Sequence, residues 1–353
     1  MTTPPDASTM IAANLHAVGD LRCETVPRPV PGADEALVRV EASGICGSDL
    51  PRVLSKGTYH FPTIPGHEFA GTVVECPSEP ARCGQRVAIF PLLPCRRCPM
   101  CEIGEYASCA DYDYYGSRRD GGFAQYQAIK LTNLIPVPDG VGIEDAAMVE
   151  PCAVAVHALG AAPLQLGDWL AIWGAGPIGL MAAQLANARG ARPILVDIDQ
   201  RKLDVARTLG FDATVNPTRV DAPAAIHDLT NGRGADVCLE AAGVPATLAG
   251  CLDSAKPFGH VILMGNPAGE MRLTQNAYWQ ILRKQLRLAG VWNSSHNQSR
   301  DDWATALAAI QRGQVTPSKL ITHRFGLAEC VKAFEVASSP DEMSLKVMFT
   351  PGR

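Results

Sequence analysis

The chain has 353 residues, of which 47% are hydrophobic and 19% charged, and its formal net charge is −5. This length is sufficient for two domains with substantial cores, and the acidic balance argues against nucleic acid or an anionic membrane as a partner. The opening residues, MTTPPDASTM, contain no basic region followed by an apolar run, so we expect no signal peptide and a cytoplasmic protein.

From residue 21 to about residue 130, the sequence consists of short β-like runs separated by Gly and Pro. In "EALVRVEASGICGSD" and "FAGTVVEC" apolar residues alternate, or nearly alternate, with polar ones, and "RVAIFPLLP" is a further short run. Such alternation is typical of half-buried strands. The first part of the chain is therefore predicted to be a β-rich domain.

One segment within this region, "CRRCPMCEIGEYASC", carries Cys95, Cys98, Cys101 and Cys109. Clustered cysteines in a chain without a secretion signal indicate a metal site more often than disulfides. Four thiolates close a tetrahedral structural zinc site that has no open position for catalysis. The fourth cysteine follows after seven residues, and not after three as in bacterial ferredoxins. An iron–sulfur cluster and disulfides are the alternatives.

From residue 168 onward, strand-like and helix-like segments alternate, which predicts a parallel sheet with helices on both faces. Residues 169–188 are uncharged and long enough to span a bilayer, but glycines and a proline interrupt them. We therefore interpret this stretch as a buried strand, a turn and a buried helix. "RLAGVW" is a possible last strand of the sheet, and "DDWATALAAIQRG" is a later helix.

The turn in this stretch carries the pattern G-x-G-x-x-G at Gly174, Gly176 and Gly179, with Pro177 and Ile178 between the last two. The pattern follows an apolar strand and opens a helix, which is the context that a dinucleotide-binding loop requires. The three glycines then permit a tight turn, a close approach of the backbone to a pyrophosphate, and close packing of helix on strand. The phosphates would face the helix N-terminus.

Asp197 ends the next strand, 18 residues after Gly179. A carboxylate at this point can accept hydrogen bonds from both ribose hydroxyls and repels a 2′-phosphate. The sequence therefore favours NAD over NADP, although Arg201 lies close enough to keep NADP open.

A second set of potential metal ligands precedes the glycine loop, in "GICGSD", "GHE" and "VEP". The residues concerned are Cys46, His67, Glu68 and Glu150. None of them indicates a metal site when taken alone; a free cysteine, for example, is most often a small core residue. Together, a cysteine, a histidine and a carboxylate supply three protein ligands and leave the fourth zinc position open. This arrangement is that of a catalytic zinc site.

"GHEFAGTVV", the four-cysteine segment and "GAGPIGLMAAQLA", in this order, resemble the zinc-dependent medium-chain alcohol dehydrogenases over nearly the whole chain. Within that family, "CGSDLPR", "PLLPC", "GSRRDGGFAQY", "VEP" and "ILRKQLRLAGVWNSS" are most similar to galactitol-1-phosphate 5-dehydrogenases and other polyol dehydrogenases of the sorbitol type. The resemblance implies an α/β fold. A GroES-like β-rich catalytic domain would span residues 1–158, with its structural zinc lobe at 91–112. An inserted Rossmann domain with a doubly wound parallel sheet would span 159–298, and 299–353 would return to the catalytic domain.

The resemblance also implies roles for these residues, with two zinc ions per subunit and NAD as cofactor. Cys46, His67 and Glu150 would ligate the catalytic zinc, and Glu68 would be an exchanging ligand or an anchor for metal-bound water. The four clustered cysteines would hold the structural zinc. Zinc lowers the pKa of an alcohol that it binds, so that hydride can pass to the nicotinamide and leave a ketone.

Ser48 matches the family hydroxyl that accepts the substrate proton, and Asp49 would orient the residues around the metal. Many relatives carry a histidine three residues after this serine, but here the position is Pro51, which cannot relay a proton. The proton would then leave through water or the ribose hydroxyls. The alternatives are a zinc-free reductase of the same superfamily and a non-enzymatic zinc module.

The substrate implied is a polyol or a polyol phosphate. A cyclitol, a cyclitol phosphate and L-threonine are alternatives. Arginine side chains suit phosphate oxygens, and the cations that could bind one are Arg52, Lys56, Arg118 and Arg119. Alternatively, Arg118 and Arg119 form an internally paired loop with Asp120. Residues that could line the pocket are Tyr59, Trp292 and Asn293, although Trp292 could instead be a core residue. The relatives imply a homodimer or homotetramer, formed through "RLAGVW" or the cysteine segment.

Overall fold

The structure is a computed structural model that describes residues 8–267 and 269–352. The chain divides into two compact units. The first contains the residues up to Pro151, Ser295–Gln311 and the residues from Thr316 onward, and the second contains Cys152–Ser294 and Arg312–Val315. The predicted borders at residues 158 and 298 lie a few residues after the observed ones. The sequence also gave no sign that Arg312–Val315 would join the second unit.

The strands of the described chain are, in order, β1 (Thr9–Ala17), β2 (Asp20–Pro27), β3 (Glu35–Gly44), β4 (Glu68–Glu75), β5 (Arg86–Ile89), β6 (Leu92–Leu93), β7 (Asp113–Tyr114), β8 (Tyr126–Lys130), β9 (Leu134–Pro136), β10 (Trp169–Trp173), β11 (Arg192–Val196), β12 (Thr214–Val215), β13 (Ala235–Glu240), β14 (Ala255–Leu263), β15 (Arg287–Gly290), β16 (Ile321–Phe325) and β17 (Lys346–Phe349). The α-helices are α1 (Asp49–Pro51), α2 (Pro99–Glu102), α3 (Ile143–Ala147), α4 (Val149–Leu159), α5 (Pro177–Ala188), α6 (Gln200–Thr208), α7 (Ala222–Leu229), α8 (Pro245–Ser254), α9 (Gln275–Lys284), α10 (Asp302–Gln311) and α11 (Cys330–Ser338).

The main sheet of the first unit has the order β16-β17-β3-β4-β5-β9, and β8 also pairs with β3. Its pairings are antiparallel except that between β16 and β17. Buried and partly exposed residues alternate along β8, as predicted for half-buried strands. The Phe123 ring packs edge-on against Phe334 and Phe349 in the core beside this sheet. The observed β-rich domain confirms the fold predicted for this part of the chain.

Two pairings of β3 bring distant parts of the chain together at the carboxyl end of this strand. β4 runs antiparallel to β3, so that Gly44 lies opposite Glu68. β17 pairs with the same end of β3, where Met348 lies opposite Gly44. Because Cys46 follows the end of β3 by two residues and His67 directly precedes β4, the register places both residues beside Glu68.

The second unit contains a parallel six-stranded sheet with the order β12-β11-β10-β13-β14-β15. This order, with helices between successive strands, is that of a doubly wound dinucleotide-binding domain and confirms the predicted fold class. "RLAGVW" contributes β15 at the edge of the sheet, where the resemblance implies one possible subunit contact.

The uncharged stretch of residues 169–188 forms β10, a turn and α5. Both elements are largely buried in the second unit, which explains their apolar composition without a membrane. Within residues 8–267 and 269–352, no helix has both the length and the hydropathy that crossing a bilayer would require.

Candidate active site and metal centres

The side chains of Cys46, His67 and Glu68 meet at the end of β3. One ligand atom from each lies within 4.8 Å of the others. Glu68 can approach this point because residue 44 is glycine: a Cβ at Gly44 would collide with the Glu68 carboxylate. His67 and Glu68 are both buried, and Cys46 is partly exposed. A sulfur, a nitrogen and an oxygen donor thus converge on one point.

Asp49 supports two of these donors. Its buried carboxylate accepts a hydrogen bond from the Cys46 backbone N–H at 3.0 Å, and its Oδ1 lies 3.2 Å from His67 Nδ1. The angle at His67 Nδ1 is not that of a well-formed hydrogen bond, so the contact is chiefly electrostatic. Burial raises the pKa of Asp49, but His67 and Arg52 outweigh it and hold the pKa below its usual value. Because Asp49 faces Nδ1, it leaves His67 Nε2 for a metal.

A second buried carboxylate, Glu150, accompanies Glu68 in this region. The Tyr114 hydroxyl donates to Glu150 Oε1 at 3.4 Å, and the Tyr114 ring packs against His67 with centroids 5.7 Å apart. Burial raises the pKa of Glu150 to about 7, with His67 opposing this shift and Glu68 adding to it. Lys346 Nζ donates to Glu68 Oε2 and to the Ile45 carbonyl oxygen.

These residues fit a bound zinc ion. His67, Glu68, Glu150 and Lys346 are each no more than 6% exposed. Two carboxylates and a cysteine sulfur therefore share a region with little water, where Lys346 is the permanently charged cation in contact with Glu68. A divalent cation would balance this negative charge, and the mixed sulfur, nitrogen and oxygen donors are those that zinc takes. Glu68 is the carboxylate that groups with Cys46 and His67. The resemblance implies Glu150 as the ligand and Glu68 as an exchanging ligand or an anchor for metal-bound water.

Ser48 and Arg52 lie beside this centre. The Ser48 hydroxyl is 3.3 Å from Cys46 Sγ, and Arg52 Nη1 donates to Ser48 Oγ at 3.0 Å and to Asp49 Oδ1 at 3.1 Å. Arg52 was predicted as a phosphate-binding cation. Its guanidinium is instead engaged with the metal-centre residues, because one helical turn separates Arg52 from Ser48.

The clustered cysteines form the second candidate metal centre. The ligand atoms of Cys95, Cys98, Cys101 and Cys109 all lie within 4.8 Å of one another. The sulfur atoms of Cys95 and Cys101 are 3.9 Å apart, as are those of Cys98 and Cys109. A tetrahedron with Zn–S bonds of about 2.3 Å has edges of about 3.8 Å, so one zinc ion fits between them.

The alternatives for this cluster fit less well. No disulfide occurs among the cysteines of the described chain. An iron–sulfur cluster would place several atoms between the thiolates and hold them farther apart. Backbone N–H groups of Ala110 and Cys101 lower the pKa of Cys98 to about 6, whereas burial raises that of Cys101 to about 12. This part of the chain therefore suits a structural zinc.

The glycine loop has the geometry of a phosphate-binding turn. Gly174 has φ +121°, which favours glycine, and a Cβ on Gly179 would collide with the Gly174 carbonyl. By contrast, a Cβ on Gly176 would meet no atom within 4 Å, so the space in front of this residue is open. Gly176 precedes α5, whose first residues are Pro177 and Ile178. The loop thus presents the N-terminus of α5 to a ligand that can approach Gly176 closely.

Asp197 lies at the carboxyl end of β11, next to this loop. Its Oδ2 accepts from Ala175 N at 2.8 Å, and its Oδ1 accepts from Asp199 N at 2.8 Å. Arg201, the residue that kept NADP open, is held by Asp199 through hydrogen bonds from Nε and Nη2. The guanidinium is therefore neutralised locally, and Asp197 presents the negative charge beside the loop.

The predicted substrate residues have different environments. Arg119 donates to Asp113 Oδ2 at 2.6 Å, and Asp120 accepts from Ile64 N, so the predicted pairing of Asp120 with the arginines is wrong. Lys56 is exposed at the end of a π-helical turn. Trp292 is 61% exposed and is not a core residue. Asn293 has φ +61° and accepts from Ser294 N. Trp292 and Asn293 belong to the second unit, and Tyr59 and Arg118 to the first.

Three residues in or near the site were not predicted from the sequence. Lys346 lies in "SLKVMFT", and a lysine inside an apolar strand segment is a usable signal, because lysine is rarely buried without a partner. Tyr112 and Tyr114 follow the cysteine cluster in "DYDYYG", a segment with no comparable signal.

Comparison with known proteins agrees with this geometry. Residues 32–139 match the family described as alcohol dehydrogenase GroES-like domain, and residues 177–312 match that described as zinc-binding dehydrogenase. Galactitol 1-phosphate 5-dehydrogenase of Escherichia coli (strain K12) is 38% identical over 85% of this chain and 88% of its own. Sorbitol dehydrogenase of Bacillus subtilis (strain 168) is 34% identical over 98% of each chain.

Among solved structures, galactitol-1-phosphate dehydrogenase from Escherichia coli superposes with a TM-score of 0.89 and 36% identity, over 97% of this chain and 100% of its own. Matches to both family models, a similar fold and relatives above 30% identity all agree. The chain is thus a member of the zinc-binding dehydrogenase family, an oxidoreductase of the alcohol and polyol dehydrogenase type that uses zinc and a nicotinamide cofactor.

Proposed function

We propose that this chain oxidises a secondary alcohol of an open-chain polyol to the ketone, with NAD as the hydride acceptor. The observation that carries the proposal is the convergence of Cys46, His67 and Glu68, whose ligand atoms lie within 4.8 Å of one another. The names of the two curated relatives, a galactitol-phosphate and a sorbitol dehydrogenase, support a polyol as the substrate class.

In this proposal, Cys46, His67 and one carboxylate, Glu68 or Glu150, hold the catalytic zinc, and the four clustered cysteines hold a second zinc with a structural role. A zinc ion held by these residues would lower the pKa of a bound alcohol, and a nicotinamide cofactor would supply the hydride acceptor. Asp49 fixes the orientation of His67, which its contact at 3.2 Å supports. Lys346 holds Glu68 in place by a buried ion pair.

Ser48 is the proposed acceptor of the substrate hydroxyl proton. Ser48 Oγ would take this proton as its own O–H proton passes onward, so that the hydroxyl stays neutral overall. Arg52 donates to Ser48 Oγ, which orients the hydroxyl and stabilises the negative charge that develops on the oxygen as its own proton leaves. Because residue 51 is proline, it cannot carry the proton onward from Ser48, and water or a ribose hydroxyl of a bound cofactor would be the next acceptor.

We further propose that NAD is preferred over NADP, because Asp197 places a carboxylate beside the loop while Asp199 neutralises Arg201. Replacing Asp197 with asparagine keeps one acceptor oxygen and removes the charge. The ratio of kcat/KM for NADP to that for NAD is expected to rise by about 30-fold or more, as repulsion of the 2′-phosphate is lost. Steady-state kinetics with both cofactors measures this ratio. Asp212→Asn, at an exposed position of the same unit, is the control and should leave it unchanged.

The substrate class is tested by NAD reduction with zinc-replete protein across a matched panel. The panel pairs galactitol 1-phosphate with galactitol, and adds sorbitol, a cyclitol with its phosphate, and L-threonine. We expect the open-chain compounds to exceed the cyclitols and threonine by about 10-fold or more in kcat/KM. Preferred turnover of a cyclitol or of threonine would contradict the open-chain assignment, and no turnover of any alcohol would contradict the proposed oxidation itself.

A further inference from the structure

A pocket of about 550 Å³ lies in the first unit, and Cys95 of the cysteine cluster is one of its lining residues. Its charged and aromatic lining residues are Tyr59, Arg97, Asp111, Tyr112, Asp113 and Arg118. The pocket is open and polar, and it shares a wall with the segment that leads from the cysteine cluster to Tyr114. Its charges therefore determine which ligand it can accept.

Each carboxylate of this pocket already has an arginine partner. Asp111 accepts from Arg97 at 2.7 Å, and Asp113 accepts from Arg119 at 2.6 Å. Arg118 has no carboxylate partner among the described residues. The two arginines and two carboxylates of the lining, taken together with Arg119, therefore leave one positive charge in excess, which is that of Arg118. A cation without a counter-ion in a concave surface favours an anionic ligand.

Arg118 is also held in a defined position. Its guanidinium carbon lies 4.4 Å from the centre of the Tyr59 ring and 4.2 Å from the centre of the Tyr112 ring. Nη1 donates to the Tyr112 carbonyl oxygen at 3.0 Å, whereas the buried Nε–H has no hydrogen-bond partner within the described chain. Contacts with two rings restrain the guanidinium, which reduces the entropy lost when its remaining N–H groups bind an anion.

A continuous row of aromatic contacts links Arg118 to the metal centre. Tyr112 packs edge-on against Tyr114 with centroids 6.3 Å apart, and Tyr114 contacts both His67 and Glu150. Two tyrosines therefore separate the cation from the metal ligands. A substrate that reaches both must carry its negative charge several carbons away from the alcohol that is oxidised.

We propose that the pocket binds the anionic end of the polyol, a terminal phosphate ester or carboxylate, with Arg118 as the residue that determines this specificity. The inference rests on the proposed polyol oxidation and adds the substrate class. Arg118 meets the anion through its N–H groups, and the hydroxyls of Tyr59 and Tyr112 are further donors at the same pocket. A hexitol phosphorylated at carbon 1 and oxidised near its other end has this arrangement of groups.

The test compares a hexitol 1-phosphate, the aldonate of the same carbon length and the parent hexitol as substrates of the wild type, Arg118→Met and Arg118→Lys. For Arg118→Met, we expect kcat/KM for the preferred anionic substrate to fall about 100-fold, mainly through KM, and that for the free hexitol to change less than about 3-fold. Arg118→Lys should recover part of the loss, because lysine retains the charge without the planar fork. The anionic substrate whose kcat/KM falls more in Arg118→Met identifies phosphate or carboxylate as the group that the pocket binds.

Arg28→Met is the matched control, since Arg28 also lies over a tyrosine ring, 4.0 Å from the Tyr126 centroid, but does not line the pocket. An equal loss for anionic and free substrates in Arg118→Met, or no loss for either, would overturn the inference while leaving polyol oxidation intact. If no polyol is oxidised, calorimetry with inorganic phosphate tests anion binding by the pocket independently of catalysis. Loss of phosphate binding in Arg118→Met, with binding retained in Arg28→Met, would support anion binding at Arg118. Equal binding by the wild type and both variants would refute it.

Discussion

Replacing Cys46 with serine is expected to reduce NAD-dependent polyol oxidation by at least about 10⁴-fold, which corresponds to about 5 kcal/mol of transition-state stabilisation. The serine hydroxyl is nearly isosteric with the thiol, but it stays protonated at neutral pH and is a poor zinc ligand. Two of the protein donors would remain, so the zinc bound at this centre should be lost. Elemental analysis should therefore show the zinc content falling from two ions to one per chain.

The loss must be local for this result to support the proposal. Cys46 follows β3 at a partly exposed position and is not a core residue, so we expect the circular dichroism spectrum to be retained. Cys23→Ser replaces an exposed cysteine on β2 and should leave both activity and zinc content unchanged. A Cys46→Ser protein with two zinc ions and more than a tenth of the wild-type activity would show that Cys46 is not a ligand of the catalytic metal.

Replacing Cys109 with serine is expected to remove the other zinc and to destabilise the segment from Cys95 to Cys109. This segment contains only α2 and the 3₁₀ turn Tyr106–Ser108, so its order depends largely on the metal. We expect a loss of about 3 kcal/mol in the free energy of unfolding and a melting temperature lower by roughly 5–10 °C. Trypsin should cleave at Arg96 or Arg97 much faster than in the wild type, because both arginines lie inside the segment.

Cys83→Ser provides the comparison, since Cys83 is an exposed cysteine of the first unit outside the cluster. It should retain two zinc ions and the wild-type rate of proteolysis. If Cys109→Ser also retained two zinc ions and resisted trypsin at Arg96 and Arg97, the cluster would not be a zinc site. The catalytic zinc should stay bound in Cys109→Ser, which distinguishes this variant from Cys46→Ser.

The sequence alone was sufficient for the features that depend on local spacing. The cysteine cluster spans fifteen residues, and its sulfurs meet because four ligands on one short segment can surround one ion. The steric roles expected of Gly174 and Gly179 agree with their conformations, because a turn between a strand and a helix imposes local demands that only glycine meets. The residue types of the proposed catalytic ligands were also visible, since the motifs "GICGSD", "GHE" and "VEP" supply a cysteine, a histidine and glutamates in the order that the resemblance implies.

The tertiary structure decided which charged groups pair. Lys346 reaches Glu68 across 278 residues of sequence, because β17 and β4 both pair with the end of β3. No local pattern encodes that contact. The same holds for the arginines: Arg52 and Arg119 have carboxylate partners, whereas Arg118 contacts two tyrosine rings.

This difference has one physical reason. The chemistry of a side chain and its near neighbours are written in the sequence, and they limit which ions and cofactors it can bind. The net charge of a pocket, by contrast, depends on pairs of long side chains that strand register brings together from distant segments. The sequence of this protein therefore determined the metals and the nucleotide loop, and its folded structure determined that Arg118 is the arginine in the pocket without a carboxylate partner.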